Sequence, residues 1–250
     1  MEVPTGGSHG FAGIPPADAF CAHHELTIAL VGRPDPRTGY LVGIQHVDAM
    51  VRTHGWPLIE SMWRERATPS PGVAVRRVAH ALAAHVPPSS RLRSVEWAPS
   101  PFVQHTWSSS MPDHATLTEH FEFSAAHRLH CPELGDDENR RIFGKCNHAS
   151  GHGHNYRVAV SVRVPVGPGA PALGVGTLAS IVNRCVIDRF DHRHLNVDCP
   201  EFAALNPSVE HIAMVCHGLL ERDVQAAGAK LARVTVWETE KTSASYPAGD

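Results

Sequence analysis

The chain has 250 residues, 42% of them hydrophobic and 19% charged, with a formal net charge of -3. That size and apolar content suit one large domain or two small ones with real cores, and they exclude wholesale disorder. The balance of charge leaves no basic block, which argues against nucleic acid or an anionic membrane as the partner, and no apolar run approaches the ~20 residues of a bilayer span.

The opening, MEVPTGGSHGFAGIPP, lacks a basic patch followed by an apolar stretch, so no secretion signal is read there. Six cysteines (Cys21, Cys131, Cys146, Cys185, Cys199 and Cys216) form no C-x-x-C pair and are expected as reduced thiols in the cytoplasm. Histidine is the unusual residue, with 19 copies, and invites a search for a metal or acid–base site.

Residues 1–20, rich in Gly, Pro and Ala, read as a loose arm. HELTIALVG (24–32) alternates as a strand. Val75, Val78, Ala79 and Leu82 give a helical stripe, and LRSVEW and FVQHTW read as two more strands. SSSMPDH (108–114) is a polar linker, and the chain is divided there into units 1–113 and 114–250.

In the second unit, TEHFEFSAAH alternates with Phe121, Phe123, Ala125 and His127 on one face. From 154 a longer strand puts Tyr156, Val158, Val160, Val162 and Val164 on one face. Leu178, Ile181, Val182, Cys185 and Val186 then fall at helical spacing. A second helix carries Val209, Ile212, Ala213, Cys216, Leu219 and Leu220, with Asn206-Pro207 read as its start. LARVTVWET alternates as a strand, and SASY reads as a short last one. The expectation is an α+β fold of two tandem units, each an antiparallel sheet with a helix pair on one face. HELTIALVG lies over HNYRVAVSV (154–162), with His24 in the place of His154 and Ala22 in that of His152.

The candidate chemistry gathers in the second unit. In G-H-G-H (151–154), His152 and His154 point the same way on a strand, about 7 Å apart, and can reach one ion; the alternative is two hydrogen-bonded rings at a strand end. His127 ends the first strand on its apolar face and can join them. Three histidines with an open fourth position make a catalytic zinc site. Cys146, six residues before His152, is read as a base, a nucleophile, a fourth ligand or a plain loop thiol. Asp191 beside His192 is either a proton relay or a surface pair, and His192 with His194 is a remote second metal pair. Glu238 ends the face of Val234 and Val236 and needs a partner, from a ligand's N–H groups or an arginine; Glu210 sits in a first helical turn, where its charge is favourable anyway.

Together, F-x-F-S-A-A-H-R-L (121–129), F-G-K-C-N…G-H-G-H-N-Y (143–156), D-H-R-H-L-N (191–196), N-P-S-V-E (206–210) and W-E-T (237–239) resemble the 6-pyruvoyl-tetrahydropterin synthase family, including its 6-carboxytetrahydropterin synthase branch. The resemblance implies a tunnelling fold (T-fold), whose units assemble into a barrel with active sites between neighbours. It implies zinc on His127, His152 and His154, Cys146 as general base, Asp191 and His192 as relay, and Glu238, Ser208 and Glu210 at the pterin. The implied reaction is zinc-dependent elimination of triphosphate from 7,8-dihydroneopterin triphosphate. The long loop before Cys146 and its distance from His152 resemble the pyruvoyl-forming enzymes rather than the carboxy branch of deazapurine synthesis. Val209 stands where the family often has a second hydroxyl residue, and His211 where it has Asn. The first unit lacks counterparts of the F-S-A-A-H strand, Cys146 and Asp191-His192, and is expected to be catalytically dead. Counting two units per chain implies a trimeric homo-oligomer. The competing readings are a pterin-binding T-fold protein without turnover and a zinc hydrolase of unrelated fold.

Overall fold

The computed structural model describes residues 24–64, 70–167 and 173–248, so Cys21, Ala22 and the N-terminal arm lie outside the described residues. The chain divides into two compact units, Met1–Ala115 and Thr116–Asp250.

In the first unit, β1 (Glu25–Gly32) is followed by α1 (Ile44–Met50), a π turn (Val51–Gly55), α2 (Trp56–Arg64) and α3 (Pro71–Ala83). Then β2 (Ser90–Ser100) and β3 (Val103–Ser108) close an antiparallel sheet ordered β1-β2-β3. Helix α3 packs on β2 and β3, with Val75, Val78, Ala79 and Leu82 buried. That stripe follows from apolar residues at three- and four-residue spacing. The segment 44–64, too mixed in polarity to announce itself, is helical as well.

The second unit begins its chemistry on β4 (His114–His127). A loop carrying α4 (Asp136–Phe143) and a 3-10 turn (Gly144–Asn147) leads to β5 (His152–Pro165). Then come α5 (Val175–Val182), a π turn (Asn183–Ile187) and α6 (Asp188–Phe190). The two-residue β6 (Arg193–His194), α7 (Leu195–Asp198) and a 3-10 turn (Pro200–Phe202) precede α8 (Val209–Ala226), β7 (Lys230–Thr239) and β8 (Thr242–Tyr246). The sheet runs β4-β5-β7-β8, β5, β7 and β8 pairing antiparallel, with β6 parallel to β4. Helix α8 covers β7 and β8.

Alternation decides which way every side chain on β5 points. Tyr156, Val158, Val160 and Val162 are fully buried, each contributing about 1.5–3 kcal/mol. A register slip of one residue would turn all of them, and the two histidines upstream, to the other face. Phe123 stacks on Tyr156 at 5.1 Å between centroids and tilts against Phe190 at 5.9 Å, so the core runs directly beneath the histidine end of the strands.

Two details differ from the sequence reading. Cys185 is only half-buried while Val186 and Phe190 are sealed, because the π turn inserts an extra residue and shifts the helical stripe. Helix α8 is not opened by Asn206-Pro207: its N-cap is Ser208, whose side chain accepts from the His211 amide, and Asn206 and Pro207 turn their polar groups toward the histidine strand instead. Among the described residues no helix is long and apolar enough to cross a membrane.

Candidate functional site

Strands β4 and β5 end side by side, and the alternation that buries Phe123 and Tyr156 delivers His127, His152 and His154 to one place. Glu238, at the end of β7, joins them. One ligand atom from each of these four side chains lies within 4.8 Å of all the others. His127 Nε2 is 3.2 Å from His152 Nε2 and 3.1 Å from Glu238 Oε1, and His154 Nε2 is 3.4 Å from the same oxygen.

The protonation of this cluster follows from its partners. His127 is fully buried, and its Nδ1 donates to the Pro207 carbonyl at 2.7 Å. A carbonyl only accepts, so Nδ1 carries a hydrogen, and Nε2 is the ring atom that faces the other three side chains. Burial lowers the pKa of His152 and His154, which favours their neutral forms. Glu238 is held below the usual carboxylate range, first by its hydrogen bond with His127. His154 Nε2 is buried without a hydrogen-bond partner. Three imidazole nitrogens and a carboxylate oxygen gathered this closely form a donor set that could hold a metal ion. Nitrogen and oxygen donors in this number suit zinc, and the residues fit the ion that the sequence implied. Among the described residues this is the one such group.

Close approach is built into the loop. Gly151 has φ of 69°, and a Cβ there would meet His194 Nε2 at 2.7 Å and the His127 carbonyl oxygen at 2.8 Å. Only glycine takes both the conformation and the space.

Cys146 lies half-buried in the 3-10 turn, and its carbonyl accepts from the Leu129 amide at 2.9 Å. Burial, then the charge of Glu238, pushes the thiol pKa up. The thiol therefore stands close enough to feel the cluster, but the protein groups around it do not activate it by themselves. Asp191 and His192 do form a dyad: Asp191 Oδ2 is 2.8 Å from His192 Nδ1, and Oδ1 accepts from the Ser124 amide at 2.8 Å. These contacts hold the carboxylate below its ordinary pKa. His192 takes a left-handed backbone, φ 57°, and its side chain is 83% exposed. No hydrogen bond or ion pair among the described residues joins the dyad to Cys146. His192 lines an open cleft of about 830 Å3 together with His154, Asn155 and His194.

Ser208 is engaged as the helix cap, and Glu210 is exposed in the first turn of α8, where its charge complements the helix dipole. Among the described residues no hydrogen bond or ion pair joins either side chain to the cluster. The sequence reading missed Tyr156 as part of the site. Its hydroxyl is buried without a partner, its ring lies 5.6 Å from that of His154, and burial with the charges of Glu238 and Cys146 raises its pKa. A tyrosine in a run of valines reads as core; the histidines two and four residues upstream were the available signal.

The first unit presents an instructive counterpart. Leu26 pairs with Trp97 on β2 and Ile28 with Val95, as Val158 pairs with Val236 on β7. Trp97 thus lies two residues beyond Val95 on β2, as Glu238 lies two residues beyond Val236 on β7. The Trp97 indole Nε1 donates to His24 Nδ1 at 3.2 Å.

Comparison with known proteins agrees with this geometry. Residues 116–248 match the family model described as 6-pyruvoyl tetrahydropterin synthase. The chain is 34% identical over 133 residues to the 6-pyruvoyl tetrahydrobiopterin synthase of Homo sapiens, covering 53% of this chain and 90% of that protein. It is 36% identical to the enzyme of that name from Drosophila melanogaster, covering 53% of this chain and 79% of the other. The solved structure of Caenorhabditis elegans 6-pyruvoyl tetrahydropterin synthase superposes with a TM-score of 0.50 at 34% identity, over 54% of this chain and 96% of that one.

Proposed function

The chain belongs to the 6-pyruvoyl tetrahydropterin synthase family, and from that membership we propose that its second unit is a zinc-dependent lyase converting 7,8-dihydroneopterin triphosphate to 6-pyruvoyl-tetrahydropterin with loss of triphosphate. The observation that carries the reading is the convergence of His127, His152, His154 and Glu238 within 4.8 Å.

His127, His152 and His154 would hold the zinc, which would polarise the side-chain hydroxyls of the substrate and acidify the adjacent C–H. Cys146 removes that proton. Asp191 keeps the His192 ring oriented, and the dyad returns a proton from the cleft. Glu238 accepts the N–H groups of the pterin ring. Since His192 is solvent-exposed within one chain, the dyad is suited to serve a site completed by a neighbouring copy. Ser208 supports the pterin site through the start of α8 rather than by contact with the cluster.

We read the first unit as a second, degenerate T-fold copy. From β5 onward the second unit, like the first from β1, has a strand, a helical segment interrupted by a π turn, a longer helix and two closing strands. Among the described residues the one group that could hold a metal ion lies in the second unit, which supports a structural role for the first. Three chains would supply six units.

Zinc-loaded protein incubated with 7,8-dihydroneopterin triphosphate and followed by mass spectrometry tests the reading. Triphosphate release with the pyruvoyl product is expected. A 6-carboxy product would assign the other branch, and tight binding without product would make the protein an inert binder.

A further inference from the structure

The four residues after His127 belong to no helix or strand, yet their backbone is held almost entirely by asparagine side chains. Asn196 pairs with both the amide and the carbonyl of Arg128, at 2.8 and 3.0 Å. Asn206 Oδ1 accepts from the His130 amide at 3.1 Å. Asn139, fully buried, pairs with both the amide and the carbonyl of Cys131, at 2.8 and 2.9 Å. Asn147 Nδ2 donates to the Leu129 carbonyl at 2.7 Å and lies 3.1 Å from His130 Nδ1, while its own carbonyl accepts from Arg128 Nε at 3.2 Å. An irregular segment must satisfy its backbone groups with something other than a ladder, and a primary amide offers donor and acceptor together.

The positions of these asparagines matter more than their number. Asn147 follows Cys146, Asn196 follows the Asp191-His192 loop, and Asn206 precedes the Pro207 carbonyl that fixes the His127 tautomer. Each loop carrying a piece of the site is thus fastened to one strap that continues from a metal-site histidine.

The fastening is tightest at the thiol. The Leu129 amide donates to the Cys146 carbonyl at 2.9 Å, and Asn147 returns a bond to the Leu129 carbonyl, closing a small ring between the two segments. We propose that Asn147 is a positioning residue: it sets the place of the Cys146 thiol relative to His127 without itself touching the reacting atoms. The proposal rests on Cys146 being the base of the reaction above. A displacement of about 1 Å at such a base costs on the order of 100-fold in rate, whereas binding of the pterin ring and of the metal runs through other side chains.

The test uses the full chain with Asn147→Ala and Asn147→Asp. The aspartate keeps the volume but cannot donate to the Leu129 carbonyl, and it carries the test should the alanine variant fail to fold. Three quantities are read: kcat and KM for triphosphate release, zinc content, and the rate at which iodoacetamide alkylates Cys146, followed by peptide mass spectrometry. Expected are a fall in kcat of about 10- to 100-fold with KM within about twofold, unchanged zinc content, and alkylation of Cys146 several-fold faster than in the parent. A folded variant with parental kcat and parental alkylation overturns the proposal. So does a variant in which zinc and KM suffer as much as kcat, since that is general loosening. If the parent protein turns over no substrate, the functional reading fails on its own, and the alkylation rates with zinc content still decide the positioning role.

Discussion

The Nδ1 hydrogen of His127 is committed to the carbonyl of Pro207 at 2.7 Å, and that one bond turns Nε2 toward His152 and Glu238. Ligand histidines are commonly fixed through their other ring nitrogen; here a residue 80 positions along the chain supplies the acceptor. His127→Ala removes a ligand and leaves that carbonyl without its donor. Zinc content after dialysis against a mild chelator is expected to fall from about one per chain to a small fraction of that. His24→Ala, in the first unit, is expected to leave zinc content unchanged. Zinc lost with His24 would contradict the assignment of a single site.

The Trp97–His24 bond yields a prediction for the first unit. Trp97→Phe keeps an aromatic ring but removes the indole donor and with it one hydrogen bond to His24. A loss of about 1 kcal/mol in stability is expected from denaturant melts. Zinc content should not move, and triphosphate release should stay within about twofold of the parent, because Trp97 belongs to no part of the catalytic constellation.

Gly151 tests how closely the loop must approach the site. Alanine there is both strained by the positive φ and obstructed by backbone, the His127 carbonyl at 2.8 Å from its Cβ. Gly151→Ala is expected to cost about 2 kcal/mol or more and to weaken zinc retention, since relief of the clash displaces either β4's end or His152. Parental thermal stability with parental zinc content would show that the loop yields freely.

Much of this site was legible in the sequence because period-two alternation is a strong rule. It put His127 on the face of Phe123, and His152 and His154 on that of Tyr156, and the sheet did the rest. Glu238 was visible for the same reason, at the end of the Val234–Val236 face, although its place among the imidazoles was not, since alternation gives a face and not a partner strand. The role of Pro207 was hidden more deeply. A carbonyl leaves no trace in residue identity, and Asn206-Pro207 carries the local signature of a helix start that Ser208 in fact provides. The four asparagines of the strap were equally silent: a loop that satisfies its backbone through side chains has no periodicity to read. In the first unit the helical segment 44–64 lacked a clear stripe because it is half-exposed and interrupted by a π turn.

His105, on β3, is buried without a charged partner, and burial lowers its pKa to about 4. In the unfolded chain the same imidazole titrates near 6.5, so between those values the unfolded state binds the extra proton and stability falls as pH falls. The loss should approach about 3 kcal/mol by pH 4. His105→Gln is expected to flatten that part of the stability profile between pH 6.5 and 4, measured by urea denaturation at a series of pH values.

Glu119 gives the opposite slope. It sits on the buried face of β4 with 8% of its surface exposed, and its Oε2 has no hydrogen-bond partner. Burial alone raises its pKa to about 7. The folded protein then keeps a proton that the unfolded chain has released above about 4.5, so this contribution is greatest in acid and declines as pH rises through 7. The carboxylate retains partial access to solvent, which screens the charge and holds the expected penalty to about 2 kcal/mol at pH 8. Glu119→Gln preserves shape and removes the ionisation. It should melt at a higher denaturant concentration than the parent at pH 8, with the gap narrowing toward pH 5. A gap of constant size across that range would mean that Glu119 titrates alike in the folded and unfolded chain, and the burial argument would fail there.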